Sequence, residues 1–364
     1  MRDGTAAAAL ALLALIAVAI VATGLDPTQD DGYYYLQIAR NVARGAGSTF
    51  DGLHRTNGYH PLWLASLVPV FAAFPRAEAA AQAALWLQGL LLAGATAITY
   101  LAARRERPPA ASAIAALVLL ILAMRPALGG LEFALHALTV AASLWALLAW
   151  RAAPTAPRAW ALGLLLALAF LARLDNALLA IVIAGAVFME SRWRAAASVL
   201  LPTLIAAGAY AAFNVALFGH PLPVSGQAKR LWSVYLLSQD PVYQAHGWLA
   251  AKVMLLGRLG SPVGLAWVAG IVGGFLLRPT RVLAVFALLQ LGAYTLMFHG
   301  ELSFARWYFV VPLLLAGLVL AALVPPAGTR VTAAALAVLA LMVAARWRQR
   351  EAGGGPTAPL HEAA

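Results

Sequence analysis

Two adjacent carboxylates, Asp30 and Asp31, follow the first long apolar run of this 364-residue chain. Behind them Tyr34, Leu36, Ile38 and Val42 are interleaved with polar residues at helical spacing. Asp31–Arg44 therefore reads as an amphipathic helix on a membrane surface, with the acids at its start. A carboxylate there can cap free N–H groups, or take a proton from a hydroxyl. Glu132 heads another apolar run, where a negative charge suits the first turn of a helix. His136 follows one turn later on the same face, as a buried polar histidine with a carboxylate partner or as a metal ligand. Arg173 and Asp175 interrupt an apolar region, either as a pair at a hairpin tip or as a functional site. Lys229 and Arg230 lie in a long polar loop, and Arg306 in a shorter one. Such cations bind phosphate or anchor the chain at lipid headgroups. Trp232, Tyr235, Tyr243 and Trp248 suit an interfacial aromatic belt better than sugar stacking.

Composition dictates the elements that must position these residues. Apolar residues make up 63% of the chain and charged residues 11%. A soluble domain runs nearer a quarter charged, so this chain cannot cover its surface with polar groups. It reads as an all-α polytopic membrane protein, a single transmembrane domain over 1–364. There are no cysteines, which removes disulfides, thiolate metal sites and cysteine nucleophiles. The net charge of +11 fits topology and anionic lipid, and no motif supports nucleic acid as a partner.

Apolar runs near 6–24, 79–103, 110–126, 131–150, 160–172, 177–189, 195–214, 261–278, 281–298, 308–324 and 331–345 give about eleven transmembrane helices. The pair 160–172 and 177–189 forms a hairpin with Arg173–Asn176 at its tip. Pro61–Phe74 is short for a span and reads as re-entrant or interfacial. With 61–74 not crossing, the short basic loops Arg104–Arg107, Arg151–Arg158, Ser191–Arg194, Arg278–Arg281 and Arg330 share one side, which is cytoplasmic. Of the 14 carboxylates, 3 fall on that side and 11 on the other. The residues singled out above for chemistry all lie on the outer side, in a first outer loop over 25–60, a second over 215–258, and the ends of spans. The tail 353–364 reads as disordered.

The first outer loop carries the resemblance to a known family. The string DDGYYYLQIARN, followed by GAGSTFDG and TNGYHPLW, resembles the polytopic GT-C glycosyltransferases. More narrowly, it is similar to the bacterial branch akin to protein O-mannosyltransferases and lipid A aminoarabinose transferase. Motif detail covers roughly residues 1–230, and beyond that only hydropathy matches. The resemblance implies a polyprenyl-phosphate-linked sugar as donor and a lipid, glycan or protein hydroxyl as acceptor. It implies an active site on the outer face of a bacterial inner membrane. Such a transfer needs a base for the acceptor proton and cations for the leaving phosphate. The D-x-x-x-Y-x-x-I-x-R pattern places the family's catalytic aspartate on Asp31, with Asp30 as its neighbour and Glu132 as a second acid. Arg173 is implied as a donor-phosphate ligand; Lys229, Arg230 and Arg306 are further candidates for that phosphate by their charge, and Tyr35, Asn57, His60 and Asp175 are candidate substrate-positioning residues.

Metal use stays open on the same resemblance, since some relatives depend on a divalent ion. His54, His60, His220, His246 and His299 with Glu132 match no compact ligand motif, so no cofactor and no metal site is assigned. The rival classes are a lipid or solute transporter and a catalytically degenerate GT-C-like protein. A transporter predicts midplane charges and an inverted repeat. This chain has its charges in outer loops and shows no repeat.

Overall fold

The computed structural model describes residues 2–22, 30–190 and 193–353, and the expectation for the tail lies outside them. The described residues form fifteen α-helices joined by short turns, with one isolated β-bridge between Thr49 and Arg55. In chain order they are α1 (Arg2–Ala22), α2 (Asp30–Ala43), α3 (Pro61–Ala73), α4 (Ala77–Ala103), α5 (Pro109–Ala127), α6 (Phe133–Ala152), α7 (Ala156–Ala172) and α8 (Asn176–Glu190). There follow α9 (Trp193–Phe218), α10 (Val224–Ser238), α11 (Pro241–Leu256), α12 (Pro262–Leu276), α13 (Arg281–Met297), α14 (Val310–Leu323) and α15 (Thr329–Gly353).

Seven of these, α1, α4, α5, α6, α9, α13 and α15, are long and apolar enough to cross a bilayer. Two bent pairs raise that to nine: α11 with α12, bent by 95°, and the turns of 300–308 with α14, bent by 58°. The expected total of eleven also counted α7 and α8. Their 17 and 15 residues fall short of the ~20 that span hydrocarbon unaided. They do form the expected hairpin, with Arg173–Asp175 between them. The chain is thus a multi-pass, all-helical membrane protein.

Without a hydrophobic drive between lipid-facing helices, small residues let backbones close up. A Cβ on Gly163 of α7 would stand 2.6 Å from the Ser198 carbonyl oxygen of α9, and one on Gly317 of α14 would stand 2.6 Å from that of Ala115 in α5. The core of α4, α5, α6, α12, α13 and α14 is packed in this way.

The two ends of the bundle differ. At one end Arg104 pairs with Asp3 at 2.8 Å, and Arg151 pairs with Glu190 at 2.5 Å while donating to the Pro279 carbonyl. These contacts gather the basic loops expected to share a side. At the other end α2 lies across α3, burying Tyr35, Leu36, Ile38 and Ala39. The second polar loop carries α10, from which α11 leads into the bent pair with α12.

The sidedness can be checked with the cysteine-free chain. Leu53→Cys and Gln227→Cys should react with a membrane-impermeant thiol reagent in intact cells, whereas Thr155→Cys should react only after lysis. Labelling in the opposite pattern would invert the map.

Candidate active site

The head of α6 is set by its neighbours. Gln88 of α4 donates to the Leu131 carbonyl at 2.9 Å and accepts from the Gly130 amide. The Trp63 indole of α3 donates to the Gly130 carbonyl at 2.9 Å. Gly130 has φ +87°, a left-handed conformation that glycine takes without strain. These ties aim Glu132 inward, where it is 3% exposed.

Arg173 meets it there from the end of α7. Its guanidinium donates to Glu132 at 2.5 Å and to both oxygens of Asp175 at 3.1 Å. The remaining donors reach the Tyr294 hydroxyl and the Trp307 carbonyl. Asp175 also accepts from Gln290 at 2.8 Å and Tyr294 at 3.0 Å, both on α13. Burial alone would raise the Asp175 carboxyl, but the adjoining Arg173 cation holds it well below the usual carboxylate range. Both sequence readings of Arg173 meet here: it pairs with Asp175, and it lies beside the site. Yet its five N–H donors are spent within the protein, so a donor phosphate would reach it only by displacing a carboxylate. Where a phosphate clamp was expected, the structure shows an internal brace.

Glu132 carries the network outward. Its second oxygen accepts from the Tyr35 hydroxyl at 3.2 Å, which in turn accepts from the His60 amide at 2.9 Å. The His60 ring lies 3.5 Å from Glu132 through Nε2, and its Nδ1 accepts from the Leu174 amide. Burial pushes this imidazole down to about 4, so it is neutral near pH 7.

A small cavity of about 150 Å³ opens above Glu132. Asp31, Tyr35, His60, Glu132, Lys229 and Tyr308 border it. Among the described residues no hydrogen bond occupies the Asp31 carboxylate, whereas the Asp30 carboxylate accepts the Asp31 amide at 2.8 Å. Burial raises the Asp31 carboxyl above its ordinary value; Lys229 opposes that rise, while Asp30, Glu132 and Glu301 add to it. The Lys229 ammonium stands 5.2 Å from the centre of the Tyr308 ring. The Tyr308 hydroxyl is buried with no partner among the described residues.

The other expected residues sit elsewhere. Arg230 is exposed and does not border this cavity. Arg306 borders a second, larger cavity across Trp307. Asn57 is buried and faces neither. Its amide donates to Asn214 and the Leu222 carbonyl and accepts from the Val224 amide at 2.9 Å, so it ties the start of α10 to the first loop. It positions Lys229 rather than meeting substrate. His136 bonds to Asn176 at 3.2 Å, not to a carboxylate, because Glu132 turns toward Arg173. No three His, Asp or Glu side chains among the described residues converge as metal ligands. His54, His220 and His299 bond instead to Asp51, the Leu222 carbonyl and Asp240. Gln290 and Tyr294 were missed in the sequence, although a polar pair four residues apart in an apolar run was the available signal. Tyr308 carried no such signal.

No protein-family description matches the chain, and no curated protein matches it. Solved structures do. ArnT from Cupriavidus metallidurans bound to undecaprenyl phosphate superposes with a TM-score of 0.60 at 16% identity, over 90% of this chain and 62% of that one. Its apo state gives 0.58 at 17% identity, over 87% and 60%. The archaeal oligosaccharyltransferase AglB from Archaeoglobus fulgidus, in complex with an inhibitory peptide and a dolichol-phosphate, gives 0.52 at 15% identity, over 96% and 56%. The chain has a GT-C-like fold. It spans little more than half the length of these proteins, and at such identities the likeness is one of fold.

The brace has a measurable consequence. Arg173→Ala leaves the buried Glu132 and the partly buried Asp175 without their cation, and breaking a buried pair in this way costs about 3–5 kcal/mol. Thermal unfolding in detergent should show a loss of that size, partly recovered by adding Glu132→Gln. An unchanged melting curve for Arg173→Ala would remove the brace from the account.

Proposed function

We propose that this chain is a glycosyltransferase that moves a monosaccharide from a polyprenyl-phosphate donor to an acceptor hydroxyl, at the outer face of a bacterial inner membrane. The observation that carries the reading is Asp31. It is a half-buried carboxylate with no hydrogen-bond partner among the described residues, and it borders one cavity with the cation Lys229. The GT-C-like fold supports it, as does the lipid phosphate bound in ArnT and in AglB.

In this reading the acceptor oxygen attacks the anomeric carbon while Asp31 takes the hydroxyl proton. The new O–C1 bond forms as the bond from C1 to the phosphate oxygen breaks, and the polyprenyl phosphate leaves with the electron pair. Lys229 offsets the charge that grows on the phosphate. The Tyr308 hydroxyl offers a hydrogen bond to the bound sugar phosphate. Glu132 and His60 form the floor: the ion-paired carboxylate fixes Tyr35, and the neutral imidazole adds no competing charge. Asp30 holds the Asp31 amide at the start of α2.

Asp31→Asn keeps the size of the side chain but cannot take a proton at neutral pH. Positioned bases contribute ~10²–10⁴-fold in rate. Purified Asp31→Asn, assayed with a panel of polyprenyl-phosphate sugars and membrane extract as acceptor, should lose turnover on that order with an unchanged melting curve. Asp30→Asn should be milder. Near-normal turnover by Asp31→Asn would refute its role as base.

The pH profile tests the same group differently. A base works only when unprotonated, so activity falls as pH drops through the folded-state pKa of Asp31. Burial places that acid limb above the ordinary carboxylate value. Lys229 holds the pKa down, so Lys229→Met should move the limb of kcat/KM to higher pH. A shift to lower pH, or none, would separate the two residues.

A further inference from the structure

Beyond Trp307, which borders both cavities, lies the larger one, of about 780 Å³. Three guanidiniums line it, from distant parts of the chain. Arg125 comes from the last turn of α5, Arg258 from the segment before α12, and Arg306 from the loop before α14. Glu301 is the one acid in the lining, so its formal charge is 3 − 1 = +2. None of the three arginine side chains makes a hydrogen bond or ion pair among the described residues. Below them the wall is apolar, with Leu122, Trp267 and Leu313 on helices that enter the bilayer.

The three guanidiniums are exposed at the rim of one cavity, where an anion could be shared between cations that have no protein partner among the described residues. The planar fork of arginine matches the two-oxygen face of a phosphate or carboxylate. Arginines serving only as headgroup anchors have no reason to converge. A cationic rim above an apolar wall suits an amphiphile, with its anionic group at the rim and its chain at membrane depth.

In the glycosyltransferase reading one anion is already placed, since the donor phosphate lies by Lys229 in the small cavity. A second anionic site implies a second anionic ligand, and the acceptor is the other molecule that the reaction must hold beside Asp31. Resting on that reading, we propose that the arginine cavity seats the acceptor, and that the acceptor is a membrane amphiphile bearing a phosphate or carboxylate.

Native mass spectrometry of the purified full chain, with undecaprenyl phosphate and dodecyl phosphate as probes, tests this. A neutral dodecyl polyoxyethylene ether serves as the control. The wild type should hold one of each phosphate at once and bind the neutral ether no more than background. Arg125→Ala combined with Arg258→Ala should weaken dodecyl phosphate by about tenfold or more, since each charge-assisted bond is worth over 1 kcal/mol. It should leave undecaprenyl phosphate within about threefold. Lys229→Met should do the reverse. In the transfer assay, inhibition by dodecyl phosphate should be relieved by more acceptor extract and not by more donor. Displacement of dodecyl phosphate by undecaprenyl phosphate, or loss of undecaprenyl phosphate in the double variant, would make the cavity the donor's and overturn the proposal. Equal binding of dodecyl phosphate and the neutral ether would reduce the arginines to headgroup anchors. Should undecaprenyl phosphate fail to bind the wild type, the donor reading falls, while the dodecyl phosphate result stands separately.

Discussion

The arrangement of this site depends on one buried guanidinium. Arg173 holds Glu132 and Asp175 together where α6, α7 and α8 meet, and α13 closes the group through Gln290 and Tyr294. A charge removed from water is costly unless it is paired and hydrogen-bonded. Each of these polar groups therefore constrains the others, and the ends of α6, α7 and α8 are drawn against α13. Glu132 then passes the constraint to Tyr35 and His60, which fix the first polar loop over the bundle.

This division separates residues that build the floor from those left free above it. Arg173, Asp175 and Asn57 spend their polar atoms on the protein. Asp31, Lys229 and the Tyr308 hydroxyl do not, and they face one cavity. In the proposed reading, a site for a charged sugar phosphate keeps some cations and acids uncommitted, and it needs a rigid base to keep them from collapsing onto each other. The tie from Asn57 to the start of α10 serves that end, because it holds Lys229 over the cavity from a loop more than 160 residues away in the chain.

The sequence by itself determined the class of molecule. With 63% apolar residues, no soluble arrangement was open, and the hydrophobic runs located the seven long apolar helices within about five positions, while overcounting α7 and α8 as spans. The amphipathic pattern of α2, the hairpin at Arg173–Asp175 and the acidic motif were all legible, because each is a local feature written in consecutive residues. Tertiary structure decided which charges are free. Arg173 and Lys229 are alike on paper as cations in polar interruptions, and only packing shows that one is saturated by Glu132 and Asp175 while the other is not. Asn57 looked like a substrate contact until Asn214 and Val224 took up its amide, and Arg125 and Arg258 drew no attention until folding brought them to Arg306. Hydropathy and motif spacing are short-range quantities, whereas the commitment of a hydrogen-bond donor depends on which distant carboxylate or carbonyl the fold places within about 3 Å of it.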